Sequence, residues 1–386
     1  MRVARTQGDK RNVTIHDVAT LSGVSIATVT RALQGSPLVR PATSERVLAA
    51  ASQLGYRPNP NARALITGRS STIGVLIPSL LHAYWAEVAN AIEQRAGEHG
   101  YTVLLVSSHG DPAREREMLE VLHGRRVDGV IVGAVAGDPL AWPEPGPTTP
   151  VVLLDWDQTP QWKLLEQLST GPIRPRLRRL PEEAPAGEWS AHVTADDVAG
   201  GALIARHLLA LGHTRIAYLV GPPTRPYLLR LLGMRTALRE AGHDLTAVVK
   251  TPDTYEGGRA VAAELLSGAE PPTALVCARD VVAVGAMKAA HALGLDVPRD
   301  VSVIGYDDID VATYAEPPLT TLRLPMPELG KLAFDLLMQA RAGASESGLH
   351  RLSGRLVERS STGPPPGNGR AVARPRRSRA ASARQR

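Results

Sequence analysis

Residues 14–33 read TIHDVATLSGVSIATVTRAL, and the fold of the N-terminal part follows from this stretch. Thr14 is placed to cap a helix, with Asp17 three residues on, and Ile15, Val18 and Ala19 form its apolar stripe. Gly23 ends that helix. Ser25 caps the next, whose Val29, Ala32 and Leu33 point inward. Two short helices joined by the turn at Ser22–Gly23–Val24 make a helix-turn-helix. Pro41 opens a third helix with Val47, Leu48, Ala51 and Leu54 as its apolar side, closed by Gly55.

Outward from this head, residues 58–71 read as a linker. Pro58 and Pro60 precede a short helical stretch, Asn61–Ile66, and Gly68 follows it. From Thr72 the pattern changes to short apolar strands alternating with helices. Strands are expected at Ile73–Ile77, Thr102–Val106, Gly129–Val132, Val151–Leu154, Ile216–Val220, Ala274–Val276 and Val301–Tyr306. Amphipathic helices such as Ala86–His99, Glu115–His123, Val198–Leu211 and Val281–Leu293 lie between them. Such a rhythm implies parallel sheets covered on both faces, and residues 72–362 are too many for one doubly wound sheet, so two lobes are expected. Residues 156–190 break the rhythm with five prolines and the basic cluster Arg174–Arg179, which reads as an irregular insertion. The tail, 363–386, is of low complexity and expected to be disordered.

Charge is distributed unevenly over the 386 residues. Residues 1–70 hold ten Arg and Lys against three acids, and the tail holds seven arginines and no acid, whereas acids outnumber bases between them. A basic head and tail on an acidic body point to an anionic polymer as the partner of the ends. No apolar run approaches the ~20 residues needed to span a bilayer. The basic N-terminus has no apolar stretch behind it, so it is not a secretory signal. The single cysteine, Cys277, excludes an internal disulfide framework. Together these lead us to expect a soluble, cytoplasmic protein with no membrane partner.

The head string resembles the opening of the lactose/galactose-repressor family of bacterial transcription regulators, and so does YRPNPNARAL from Tyr56. Thr30 departs from it, standing where the family usually has serine. Further along, RIAY from Arg215, RLLG from Arg230, DVSVIGYDD from Asp300 and PPLTTL from Pro317 are also similar to family signatures, so that the resemblance covers about residues 13–362. It implies an α/β fold in which a helix-turn-helix DNA-binding head (1–57) and a linker with a hinge helix precede a two-lobed body like a periplasmic binding protein. It also implies a cytoplasmic, nucleoid-associated homodimer on a pseudo-palindromic double-stranded operator, whose DNA affinity is set by a small-molecule effector such as a sugar.

The chemistry of the residues agrees with that implication. The first residues of the second helix face the major groove, where base edges carry a unique pattern. Ile26 and Ala27 suit a thymine methyl there, and Arg31, one turn beyond, suits a guanine or a phosphate. Thr14, Ser25 and Thr28 are candidates for phosphate contacts through hydroxyls or helix N-terminal amides, with plain capping as the alternative role. The resemblance places Asn61, Arg63 and Leu65 on the DNA too, Leu65 as an apolar wedge in the minor groove. In the body it places Tyr84, Trp85, Asp155, Arg230, Arg279 and Asp307 around the effector. Arg279 and Asp280 stand where the family commonly has an Asn-Asp or Ser-Asp pair, so that Arg279 is the departure. A guanidinium at Arg279 suits an anionic effector, and the alternative is that it pairs with Asp307 or Asp155, or turns to solvent, around a neutral ligand. Leu324 and Met326 stand at cleft-crossing positions that are polar or aromatic in some relatives.

Two other function classes compete. An enzyme would need a reaction site, but Cys277 reads as a buried structural thiol, and the histidines have no metal-ligand spacing. No cofactor or metal is expected. A solute-binding protein without gene control would share the body, and the helix-turn-helix argues against it. A DNA-binding regulator with a non-responsive cleft is the remaining alternative.

Overall fold

The computed structural model describes residues 13–33, 35–57, 69–133, 149–155, 191–222, 224–344 and 348–367. The chain divides into two compact units, Met1–Ser70 and Ser71–Arg386.

In the first unit, α1 (Ile15–Ser22), α2 (Ile26–Leu33) and α3 (Pro41–Leu54) enclose a small core of Val18, Val29, Ala32, Val47, Ala50 and Ala51. The Thr14 amide and hydroxyl both donate to Asp17 Oδ2 at 2.8 Å, which fixes the entry to α1. Gly23 ends α1 with φ +64°, a left-handed conformation that glycine adopts without strain, and its N–H donates to the Ala19 carbonyl. The Thr28 amide donates to Ser25 Oγ at 3.2 Å, so Ser25 caps α2 as expected. One expectation fails in α3. Leu48 is half exposed, because the inner stripe runs through Val47, Ala50, Ala51 and Leu54. Those positions lie three and four residues apart, and Leu48, one step round the helix from Val47, falls outside the stripe.

The second unit holds two six-stranded sheets. The first lobe contains β1 (Thr72–Ile77), α4 (Ala83–Glu98), β2 (Thr102–Ser107), α5 (Pro112–Gly124), β3 (Val130–Gly133), β4 (Val151–Leu154) and β5 (Ala191–Ala195). The chain then enters the second lobe through α6 (Asp197–Ala210), β6 (Ile216–Val220), α7 (Arg225–Glu240) and β7 (Ala247–Lys250). That lobe continues through α8 (Tyr255–Leu266), β8 (Ala274–Cys277), α9 (Asp280–Ala292), β9 (Ser302–Asp307), α10 (Asp310–Tyr314) and β10 (Thr320–Arg323). It returns to the first lobe with α11 (Met326–Arg341) and β11 (Leu349–Leu352), and ends in the second with β12 (Arg355–Val357).

The first sheet has the order β11-β5-β4-β3-β1-β2 with every pair parallel. The second has the order β12-β10-β9-β8-β6-β7 and is parallel except for β12. This is the expected α/β class with two parallel-sheet lobes, and the chain crosses between them three times.

Close backbone approach sets the spacing of α6 and α7. A Cβ on Gly201 would run into the Arg230 carbonyl oxygen, and one on Gly233 would run into that of Val198. Cys277 lies fully buried in the second-lobe core, where burial pushes its thiol up. Gly363 is held by Ser302, whose Oγ accepts its amide at 3.0 Å. Among the described residues no helix is long and apolar enough to cross a membrane. The insertion 156–190, the hinge stretch with Asn61, Arg63 and Leu65, and residues 368–386 lie outside the described residues.

Candidate functional site

In the head, Ser25, Ile26 and Ala27 are exposed at the start of α2, and Arg31 is exposed in its last turn. Ile26 is 39% exposed, which takes it out of the core that Val29 fills. A bare apolar side chain flanked by hydroxyls and an arginine is suited to a groove edge rather than to interior packing. The Thr28 hydroxyl lies 2.9 Å from Ser25 Oγ, so the capping network also presents two hydroxyls at the helix N-terminus.

In the body, a cavity of about 220 Å³ opens between the two lobes. Its walls come from the ends of parallel strands, where α/β sheets place their binding crevices. Pro78 follows β1, Asp155 follows β4, Pro222 follows β6, Arg279 follows β8, and Asp307 is the last residue of β9. His82, Tyr84 and Trp85 complete the first-lobe wall, and Tyr227, Arg230 and Asp253 stand opposite. All six body residues singled out from the sequence therefore line one cavity. Leu324 and Met326 do not. They are buried in the core cluster, 3% and 2% exposed, because the apolar interior beneath the cleft absorbs them.

Each polar wall residue has a defined setting. Tyr84 OH donates to Asp155 Oδ2, while Thr194 Oγ1 donates to Asp155 Oδ1 at 2.7 Å. Tyr84 meets Trp85 edge-on, with ring centroids 4.9 Å apart. Burial raises the Asp155 carboxyl above its ordinary range, and so does the Asp197 charge, against the hydrogen bonds from Tyr84 and Thr194. The Arg230 guanidinium lies 3.6 Å from the centroid of the Tyr306 ring, donates from Nε to Asp197 Oδ1 at 2.7 Å, and donates from Nη1 to the Ala278 carbonyl at 2.9 Å. Tyr306 OH donates to the same Asp197 oxygen at 2.9 Å. Burial alone would lower the Arg230 pKa, but Asp197 together with Tyr306, Asp307 and Tyr218 outweighs it and holds the charge.

Arg279 lies between two carboxylates. Its Nη1 is 3.7 Å from Asp253 Oδ2 and its Nε is 3.7 Å from Asp307 Oδ2. Pairing with Asp307 thus occurs, and pairing with Asp155 does not. Asp280, next in sequence, turns away from the cavity, accepting from Thr321 Oγ1 at 2.5 Å and from the Ile309 amide at 2.8 Å. Burial raises Asp307 to about 6, against the pull of Arg230 and Arg279. Burial, with the charges of Arg279 and Arg230, lowers His82 to about 3, so its imidazole is neutral at physiological pH. Asp155 and Asp307 have φ values of +45° and +107°, which non-glycine residues rarely adopt. Strain of this kind collects at binding sites, where it aims side chains that regular strand geometry would turn aside.

His82, Tyr227 and Asp253 were not singled out from the sequence. Tyr227 stands three residues before Arg230 on α7, one turn along the same face, and that spacing is a usable signal. Asp253 sits in the loop after β7, where it reads as an ordinary turn residue.

Among the described residues, no cluster of three or more His, Cys, Asp or Glu side chains could hold a metal. Aromatic walls, two guanidiniums and several carboxylates fit a small polar ligand enclosed by two lobes.

Comparison with known proteins agrees with both units. Residues 14–59 match the family described as bacterial regulatory proteins, lacI family, and residues 205–362 match the periplasmic binding protein-like domain. The ribose operon repressor of Escherichia coli (strain K12) is 34% identical over 341 residues, covering 84% of this chain and 92% of that protein. The HTH-type transcriptional regulator GalS of Salmonella typhimurium (strain LT2) is 35% identical over 357 residues, covering 90% and 96%. A crystal structure of the lac repressor dimer bound to operator and the anti-inducer ONPF superposes with a TM-score of 0.79 at 30% identity, covering 92% of this chain and 100% of that one.

Proposed function

This chain belongs to the lacI family of bacterial regulatory proteins, and we propose how its parts divide the work of a repressor. It is a DNA-binding transcription regulator controlled by an effector in its periplasmic-binding-protein-like body, and not an enzyme. Two chains pair about a two-fold axis, so that two heads meet the halves of a pseudo-palindromic operator in the cytoplasm. Ile26 and Ala27 meet base edges, Arg31 a guanine or phosphate, and Thr14, Ser25 and Thr28 the backbone. Asn61, Arg63 and Leu65 act in the minor groove beside them.

The effector lies in the cavity between the lobes, held by Tyr84, Trp85, Asp155, Arg230, Arg279 and Asp307. Its chemical class is that of the relatives named for sugars, such as the ribose operon repressor. Lobe closure around it shifts operator affinity. The observation that supports this division best is the convergence of all six side chains on one cavity between lobes. Selection of bound duplexes from a random pool by the full chain, followed by footprinting, tests the DNA half. An inverted repeat protected on both arms is expected. Recovered DNA without two-fold symmetry would contradict it.

A further inference from the structure

The linker joins the body at Ser71, the first residue of the second unit. Ser71 has φ +51°, a left-handed value that serine rarely adopts. It keeps that value because the peptide groups on both sides of it are tied. Its amide donates to Asp128 Oδ2 at 3.0 Å, and its carbonyl accepts from the Thr102 amide at 2.9 Å. The Asp128 amide donates to the Thr72 carbonyl at 2.7 Å, so Asp128 holds both ends of the Ser71–Thr72 pair.

Asp128 is itself held. Arg341 Nη2 lies 3.1 Å from the same Oδ2, the Asp128 side chain is buried, and Arg341 Nη1 donates to Tyr101 OH at 2.5 Å. Arg341 is the last residue of α11, whose first residue, Met326, lies in the core beneath the cleft. α11 packs on α4, near whose start stand the cavity residues Tyr84 and Trp85. A Cβ on Gly330 would strike the Val88 carbonyl, and Arg95 forks onto Asp335 at 2.9 and 3.2 Å. Each helix has 16 residues, about 24 Å of length. The two therefore connect the cleft to the Ser71 joint as one packed pair.

The φ angle of Ser71 sets the direction in which every preceding residue leaves the body. Released from its ties, a serine relaxes to negative φ, which swings that direction by roughly 100° or more. A movement of the lobe passes to a chain joined to it only where the joint does not turn. Beginning β1 does not account for the ion pair, because a buried pair adds little net stability over apolar packing. Holding one direction at the joint does account for it.

We propose that Asp128, held by Arg341, is a positioning residue for effector control. It keeps Ser71 a rigid joint, so that movement of the first lobe on closure passes to the linker instead of being absorbed by one dihedral. This rests on the effector-control reading of the body, and it assigns the coupling to a residue outside the effector cavity.

The test measures coupling in both directions on the full chain. Affinity for the selected operator is read by fluorescence anisotropy with and without D-ribose, D-galactose and cellobiose, and sugar affinity by calorimetry with and without operator. In the wild type, at least one sugar is expected to change operator affinity by about 5–150-fold, and the operator to change affinity for that sugar by the same factor. In Asp128→Ala both factors fall below about two-fold, while sugar affinity without DNA stays at the wild-type value. Ser71→Pro, which removes the amide and fixes φ near about −65°, has the same effect without removing a charge. Ser71→Gly, which adopts positive φ freely, keeps the coupling. Melting shows whether each variant is folded, and Ser71→Pro carries the test if Asp128→Ala is not. A folded Asp128→Ala or Ser71→Pro chain that keeps wild-type coupling overturns the proposal and leaves effector control standing. Weakened sugar binding by Asp128→Ala without DNA also overturns it, as does a loss in Ser71→Gly equal to that in Ser71→Pro. A wild type whose operator affinity none of the three sugars alters overturns the effector-control reading and the proposal with it.

Discussion

Asp197 Oδ1 lies 2.7 Å from Arg230 Nε, with both side chains buried, and the pair joins α6 to α7 directly under the effector cavity. Arg230 is thereby fixed over the Tyr306 ring with its remaining edge toward the cleft. Asp197→Ala removes the only carboxylate hydrogen-bonded to Arg230 among the described residues and leaves a buried guanidinium unpaired. The expected loss is about 3–5 kcal/mol of body stability, measured by urea denaturation. A loss below ~1 kcal/mol, the range of a surface pair, would show that the pair is not buried in solution.

Gly201→Ala tests the same region through packing alone. The new methyl would meet the Arg230 carbonyl, forcing α6 and α7 apart. Overpacking of this kind costs typically about 1–3 kcal/mol, and the displaced Arg230 weakens effector binding as well. An unchanged melting temperature would mean that the two helices have room to spare.

Much of this arrangement is legible in the sequence, and the rest is hidden for physical reasons. Arg230 and Asp307 fall in recognisable strings, RLLG and DVSVIGYDD, and the strands before Asp155 and Arg279 are apolar runs of parallel-sheet type. The short strands β5, β7, β10, β11 and β12 lack that signature. AVVK at β7 is partly exposed on a sheet edge, and LHRL at β11 alternates with polar residues. Asp253 follows the weakest of these strands, so nothing local marks it. Arg279 is legible as a departure from the family, but its partners are not, since Asp253 and Asp307 reach it only through the order β9-β8-β6-β7 of the second sheet.

Acid titration isolates Asp307. Burial raises its carboxyl from 3.8 to about 6, so the folded chain keeps this proton at pH values where the unfolded chain has lost it. The resulting stabilisation is complete below about pH 4, falls as the pH rises to about 6, and is absent above; it amounts to roughly 3 kcal/mol. The stability of wild type minus that of Asp307→Asn therefore falls across that window and is flat from pH 7 upward. Urea melts at several pH values measure it. A difference that grows with pH would mean that the arginines, not burial, dominate at Asp307.

Ile26→Ala, on the exposed start of α2, is expected to weaken operator binding by about 1–3 kcal/mol, comparable to one mismatched base pair. Replacing thymines in the selected operator by uracil, one at a time, locates the methyl that Ile26 meets. At that position the wild type loses affinity and Ile26→Ala does not. Equal losses for both proteins at every thymine would remove Ile26 from the groove.

Effector control of DNA binding is the centre of the account, and one coupling measurement tests it most directly. Operator affinity of the full chain is measured by fluorescence anisotropy with and without a sugar shown by calorimetry to bind the cleft, in wild type and in Asp155→Ala. The account predicts a change of about 5–150-fold in the wild type, the usual size of coupling between two sites, and loss of that change in the variant. A sugar that occupies the cleft and leaves operator affinity unaltered would contradict it.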